Sequence, residues 1–271
     1  MDIQEMMKNY QRSQDRAQYS QILSALLDQE TIWYTCLSNP SRQYIEWNRG
    51  KASACIFTKY EYAVLFQDYQ SKNSLSLEIK ENKSQERTVF FMELLRCGFE
   101  LVIVDNGQTY LGCSLSDFFG KSTLEEVVAD KAVIYNPVFW RYALFFFQNL
   151  SCRRATREME ADMLQAFYRG TFLMPVADPG THAAGGEAYT IDSVSHLLIS
   201  TNGEDFYPVF TDRREMAQLQ LDKTWIPMAA RFDDMKKLTK SASILVNPHS
   251  IGLPVNSSRF NAIEEMMKPR Q

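Results

Sequence analysis

The hydrophobic pattern changes period several times along the chain, and each change marks an element. Tyr19, Ile22, Leu23, Leu26 and Leu27 recur at helical spacing. Residues 31–37 then form a compact apolar run that suits a strand. Residues 43–47 and 52–57 flank Asn48-Arg49-Gly50-Lys51, which reads as a hairpin turn. Thr58-Lys59-Tyr60-Glu61 reads as a capping box opening a helix. Residues 73–87 are polar and read as an insert between helices. A helix with Val89, Phe90, Met92, Leu94 and Leu95 follows, stopped by Gly98. Residues 99–104 read as a closing strand, ended by the turn Asp105-Asn106-Gly107.

The second half has the same order. Residues 154–169 carry Met159, Met163, Ala166 and Phe167 at helical spacing, and Gly170 stands where a helix would stop. Residues 171–176 suit a buried strand. A glycine- and alanine-rich stretch at 177–190 reads as a loop. Residues 196–200 and 206–210 read as strands joined by Asn202-Gly203, since both turn residues tolerate positive φ. Asp212 with Glu215 three places on forms a capping box, and residues 227–238 read as a helix with Pro227 in its first turn. Residues 243–246 form a last strand, ended by Asn247-Pro248.

The shared order predicts two copies of one unit. Thr31 and Thr171 lie 140 positions apart, Phe57 and Phe210 153, and Val104 and Val246 142. The spread is what a longer loop in the second copy and a longer polar insert in the first would produce. The expected fold is therefore α/β (α+β), with two similar units, each a small mixed sheet packed with helices. The expected boundaries are 1–135 for the first unit, 136–158 for an aromatic-rich connecting helix, and 159–271 for the second unit. Asn136-Pro137 opens that helix, which should run well past Gln148. Its aromatic side chains, Phe139, Trp140 and Phe146 among them, would be costly to expose, so an interface between the units or between two chains is expected there.

Composition narrows the function classes. The 271 residues carry 29 basic and 33 acidic side chains, a net charge of −4, with no basic block in either half. Such a chain is a poor candidate for nucleic-acid binding. The most apolar stretch, 138–147, contains Arg141 and is too short to span a bilayer. The N-terminus does not read as a secretory signal. Five cysteines (Cys36, Cys55, Cys97, Cys113 and Cys152) include no Cys-x-x-Cys pair, and read as reduced thiols of a cytoplasmic protein.

Motifs for chemistry are sparse. There is no phosphate-binding loop and no Gly-x-Ser-x-Gly elbow. The three histidines, His182, His196 and His249, show no metal-ligand spacing, so no metal or cofactor is expected.

Phe172-Leu173-Met174-Pro175-Val176, Asn202-Gly203, Tyr207-Pro208-Val209-Phe210-Thr211 and Ile244-Leu245-Val246-Asn247-Pro248 together resemble the SseB protein N-terminal domain family over roughly 160–260. The resemblance implies a small α/β domain and a bacterial origin, and no reaction. Residues 20–120 look like a diverged copy, with Asp105-Asn106 where Asn-Pro would fall. A non-enzymatic binding or interaction protein is the expected function, with a homodimer or another protein as partner. The alternative is an enzyme or small-ligand-binding protein with a crevice at the strand ends, near Thr211, Arg213, Asn247 and His249.

Overall fold

The computed structural model describes residues 2–38, 41–48, 50–119, 134–177 and 194–268. The glycine- and alanine-rich loop, His182 and Arg49 lie outside them. The chain divides into two compact units, one made of 1–130 with 143–156, the other of 131–142 with 157–271. Both mix helices with sheets, as an α/β chain should.

Unit 1 opens with α1 (Ile3–Ser13) and α2 (Arg16–Asp28). The side chains of Asp2 and Asp15 cap them, accepting from Gln4 N and Ala17 N. Then come β1 (Thr31–Ser38), β2 (Ser41–Gln43), β3 (Glu46–Asn48), β4 (Lys51–Phe57), α3 (Tyr60–Lys72), β5 (Leu77–Lys83), α4 (Arg87–Arg96), β6 (Leu101–Val104) and β7 (Leu111–Ser114). The sheet order is β2-β1-β4-β6-β7, with β3 on β4 and β5 on β1. Strands β4 and β6 are parallel and the other pairs antiparallel. β4 sits centrally and is buried from Ala52 onward, which accounts for its unbroken run of small and apolar residues. Leu37, Phe57, Phe66, Leu77 and Ile103 form its core with α3.

Unit 2 contains the first half of α5 (Pro137–Ser151), then α6 (Arg157–Arg169), β8 (Phe172–Ala177), β9 (Ile199–Thr201), β10 (Glu204–Val209), α7 (Arg213–Ala217), β11 (Trp225–Ala230), α8 (Phe232–Leu238), β12 (Ser243–Val246), β13 (Leu253–Val255) and α9 (Ser257–Met267). One sheet runs β13-β12-β10-β9, with β10 and β12 parallel. β8 and β11 form an antiparallel pair, and Leu173 bridges to Phe210 at the end of β10. Phe139, Phe167, Phe172, Phe232 and Phe260 stack into an aromatic core.

Several expectations change. Residues 73–87 are not a mere insert, because β5 pairs with β1 from Thr31↔Lys83 to Leu37↔Leu77. Its charged residues Glu78, Glu81 and Lys83 are exposed on a sheet edge, whereas Asn82 is buried. Pro227 does not open a helix; it lies in β11 opposite Pro175, where a two-stranded edge tolerates a missing N–H. The helix of this region starts only at Phe232. α5 ends at Ser151 and Arg153 adopts φ 60°, so residues 136–158 are not one continuous helix. Gly170 has no positive φ. A Cβ there would lie 2.7 Å from the Phe172 ring and 2.8 Å from Asn136 Oδ1, so close packing demands the glycine. α1, β7, β13 and α9 have no counterpart in the sequence reading.

Candidate functional site

The crevice expected at the strand ends of unit 2 is a closed hydrogen-bonded corner. β10 leads into Thr211, and β12 leads into Asn247 with φ 45°, a conformation an Asx residue accepts more readily than most. Asn247 N continues the ladder to Val209 O at 2.8 Å. Its side chain turns back on the neighbouring strand end. Thr211 N donates to Asn247 Oδ1 at 3.0 Å, and Asn247 Nδ2 donates to Thr211 Oγ1 at 2.9 Å. The amide thereby frees the Thr211 hydroxyl hydrogen, which goes to Asp212 Oδ2 at 3.0 Å.

Asp212 caps α7 as the sequence suggests, its Oδ1 accepting from Arg214 N and Glu215 N at 2.9 and 3.0 Å. Trp140 Nε1 donates to its other oxygen at 3.5 Å. Thr211 and Asn247 are both fully buried. Arg213 and His249 are exposed, and no hydrogen bond or ion pair joins either to the Thr211–Asn247 pair. The structure thus brings two of the four residues together and leaves the other two apart.

Unit 1 has the same corner with a different hydrogen count. Asp105, φ 51°, follows β6 and donates its N–H to Ile56 O at 2.9 Å. Its carboxylate accepts from Thr58 N at 2.7 Å and from Thr58 Oγ1 at 2.8 Å. A carboxylate has no hydrogen to return, so the threonine hydroxyl must donate to it. Gln4 of α1 supplies the remaining donor, reaching Thr58 Oγ1 at 2.8 Å and the Asp105 carboxylate. This long-range bonding explains why Thr58 is no helix cap: the N-cap of α3 is Lys59, with no side-chain cap bond. Burial raises the Asp105 carboxyl above its ordinary range, while the Thr58 and Gln4 donors pull the other way.

Each corner is tied by one further amide. Gln29 Nε2 donates to Thr31 O and Thr58 O at 3.1 and 2.8 Å. Asn136 Nδ2 donates to Thr171 O and Thr211 O at 2.7 and 2.9 Å. Asn136 is a strand clamp as well as the residue before α5. Neither Gln4 nor Gln29 is singled out by the sequence, because only folding brings them to the corner.

Beside the unit 2 corner, Glu215 is buried and accepts from Ser250 Oγ at 2.5 Å and Gln218 Nε2 at 2.9 Å. Burial pushes its carboxyl upward, Ser250 opposes this, and nearby Asp212 adds to it. The aromatic residues expected at an interface are also buried: Phe139 packs on Phe167 and Phe172 in unit 2, and Phe146 packs on Phe147. Among the described residues no His, Cys, Asp and Glu cluster could hold a metal, and no helix is long and apolar enough to cross a membrane.

Thr211 and Asn247 of the unit 2 corner lie within a stretch that matches a family model. Residues 150–260 match the SseB protein N-terminal domain. The SseB-like region takes in Thr211, Arg213, Asn247 and His249. Among solved structures, Tic22 from Plasmodium falciparum is similar at 11% identity and a TM-score of 0.23, over 77% of this chain and 82% of that one. Anabaena Tic22, described as protein transport, is similar at 10% identity and a TM-score of 0.20, over 93% of this chain and 99% of that one. Scores this low constrain neither fold nor function. No curated protein matches the chain.

Proposed function

We propose that the chain is a non-enzymatic protein-interaction scaffold of two related SseB-like units. The observation that carries this reading is the Thr–Asx corner. It occurs in both units, it is buried, and its polar atoms are engaged with one another. Thr211 and Asn247, two of the four residues that most resembled a site, are thus employed in joining parallel strands.

Kinship of the units is supported by matching connections. Trp33↔Phe57 in unit 1 and Leu173↔Phe210 in unit 2 join strands at positions 140 and 153 apart, the offsets seen in sequence. Each unit follows two helices with a strand, a hairpin, a helix, a strand, a helix, a parallel strand and an antiparallel return. Gln29 and Asn136 clamp equivalent carbonyls from unrelated sequence positions, which is how diverged copies preserve a strand junction.

Cross-linking in the source cells, with mass spectrometry of the purified complexes, tests the scaffold reading. One protein partner, or a second copy, recovered at fixed stoichiometry is expected. A chain that cross-links to nothing and carries a small molecule in native mass spectrometry would sink the reading in favour of the ligand-binding alternative. A cytoplasmic bacterial setting belongs to the same proposal.

A further inference from the structure

The hydrogen bonds of β8 fix which side of β11 is free. Leu173 exchanges both backbone bonds with Phe210 at 2.8 Å, and Pro175 O accepts from Leu197 N at 3.4 Å. Residues 173, 175 and 177 of β8 therefore face away from β11. Phe172, Met174 and Val176 face it, opposite Ala230, Met228 and Ile226. The other residues of β11, Trp225, Pro227 and Ala229, must turn their backbone groups outward. Among the described residues no strand pairs with that side. The outward row is short of donors. Trp225 N donates to Asp222 O at 3.3 Å, and Pro227 has no N–H. What remains for an added strand is the N–H of Ala229, an exposed residue.

No charge guards this strand. Trp225-Ile226-Pro227-Met228-Ala229-Ala230 is uncharged throughout, and an uncharged apolar edge invites a further strand. β5, an edge of the unit 1 sheet, instead carries Glu78, Lys80, Glu81 and Lys83. β13 repeats the proline. Asn247 N reaches Val209 O, so Leu245 faces β10, and Pro254 opposite Leu245 faces away from β12. Pro254 is exposed. Two edges of unit 2 thus set a proline where an added strand would need an N–H. We infer that Pro227 closes β11 to a second copy of this chain, which would otherwise add its own β11 there. Antiparallel pairing about residue 227 sets Trp225 opposite Ala229 of the second copy, and the two-fold axis uses the same row twice. With proline at the axis both central donors are missing and the two rings meet. The inference is independent of the scaffold reading, since a partner on another face leaves this edge closed.

The test is light scattering of the full chain over a range of concentrations, for wild type, Pro227→Val and Pro227→Thr. Both variants are expected to rise with concentration toward twice the wild-type mass. The Ala229 amide should exchange its hydrogen more slowly as they do. Ala229→Val adds a β-branched apolar side chain beside an intact Pro227 and should keep the wild-type mass. Pro227→Val combined with Ala229→Pro returns a proline to the outward row and should return the mass with it. Pro227 variants that melt as wild type does and keep its mass overturn the inference. So does doubling by Ala229→Val, doubling that leaves Ala229 exchanging as before, or an Ala229 amide already protected in wild type. Loss of fold in both variants also overturns it, because an outward-facing position has no ladder bond to lose. The scaffold reading fails separately, through cross-linking that finds no partner.

Discussion

Thr35 carries a hydroxyl into the interior of unit 1 and finds no hydrogen-bond partner for it. It lies between Trp33 and Leu37 on the face of β1 that meets the apolar core. A buried polar atom without a partner costs about 1–3 kcal/mol. Thr35→Val keeps the branched shape and removes that cost, so it should raise unfolding free energy by about 1 kcal/mol in a urea titration. A loss of stability would mean that the hydroxyl is bonded in solution. Glu215 makes the opposite kind of residue-scale statement. Its carboxyl is raised from an ordinary 4.5, chiefly by burial, so the folded state keeps its proton to higher pH than the unfolded chain does. Its contribution to stability is full below about pH 4.5 and is lost as pH rises through the folded value. Glu215→Gln removes this dependence. The stability of wild type minus variant should therefore shrink between pH 4 and pH 7, and a difference that grows would reverse the assignment.

At the scale of elements, the junction of α2 with β5 depends on one buried cation. Arg87, 1% exposed, donates to Asn82 Oδ1 at 2.6 Å, Asn82 O at 2.9 Å and Gln29 O at 3.1 Å, and also to Leu26 O. These carbonyls include the last orphan acceptors of α2. Burial lowers the guanidinium to about 10, so it remains charged at neutral pH. Arg87→Met leaves the carbonyls dry and unbonded, and should cost about 3 kcal/mol by urea denaturation. Elements of this kind explain where sequence reading stops. β1, β4, β6, β10 and β12 were legible, because buried strands write their burial as apolar runs. β5 was not, because Leu77-Glu-Ile-Lys-Glu-Asn-Lys is an edge strand made stable by pairing. β11 was hidden by Pro227, a residue that signals a helix start or an edge with equal local right.

For the whole molecule, charge is the property that sequence settles most directly. A net charge of −4, with acids outnumbering bases in both halves, gives the chain little overall attraction for polyanions. The chain should pass through a heparin column unretained at low salt, and retention released by a salt gradient would contradict this. The sequence by itself determined the α/β class, the order of most central elements, the Asn202-Gly203 hairpin and the SseB resemblance. All of these are written in local periodicity, turn chemistry or short motifs. It also picked out Thr211 and Asn247, though not what they do. Tertiary structure alone decided that these two close on each other, that Gln4 and Gln29 complete the matching corner around Thr58, and that Gly170 answers to a ring rather than to a turn. Those roles depend on partners up to 101 positions away, as Gln4 and Asp105 are. No local pattern encodes a contact whose other half is fixed only when the sheet assembles.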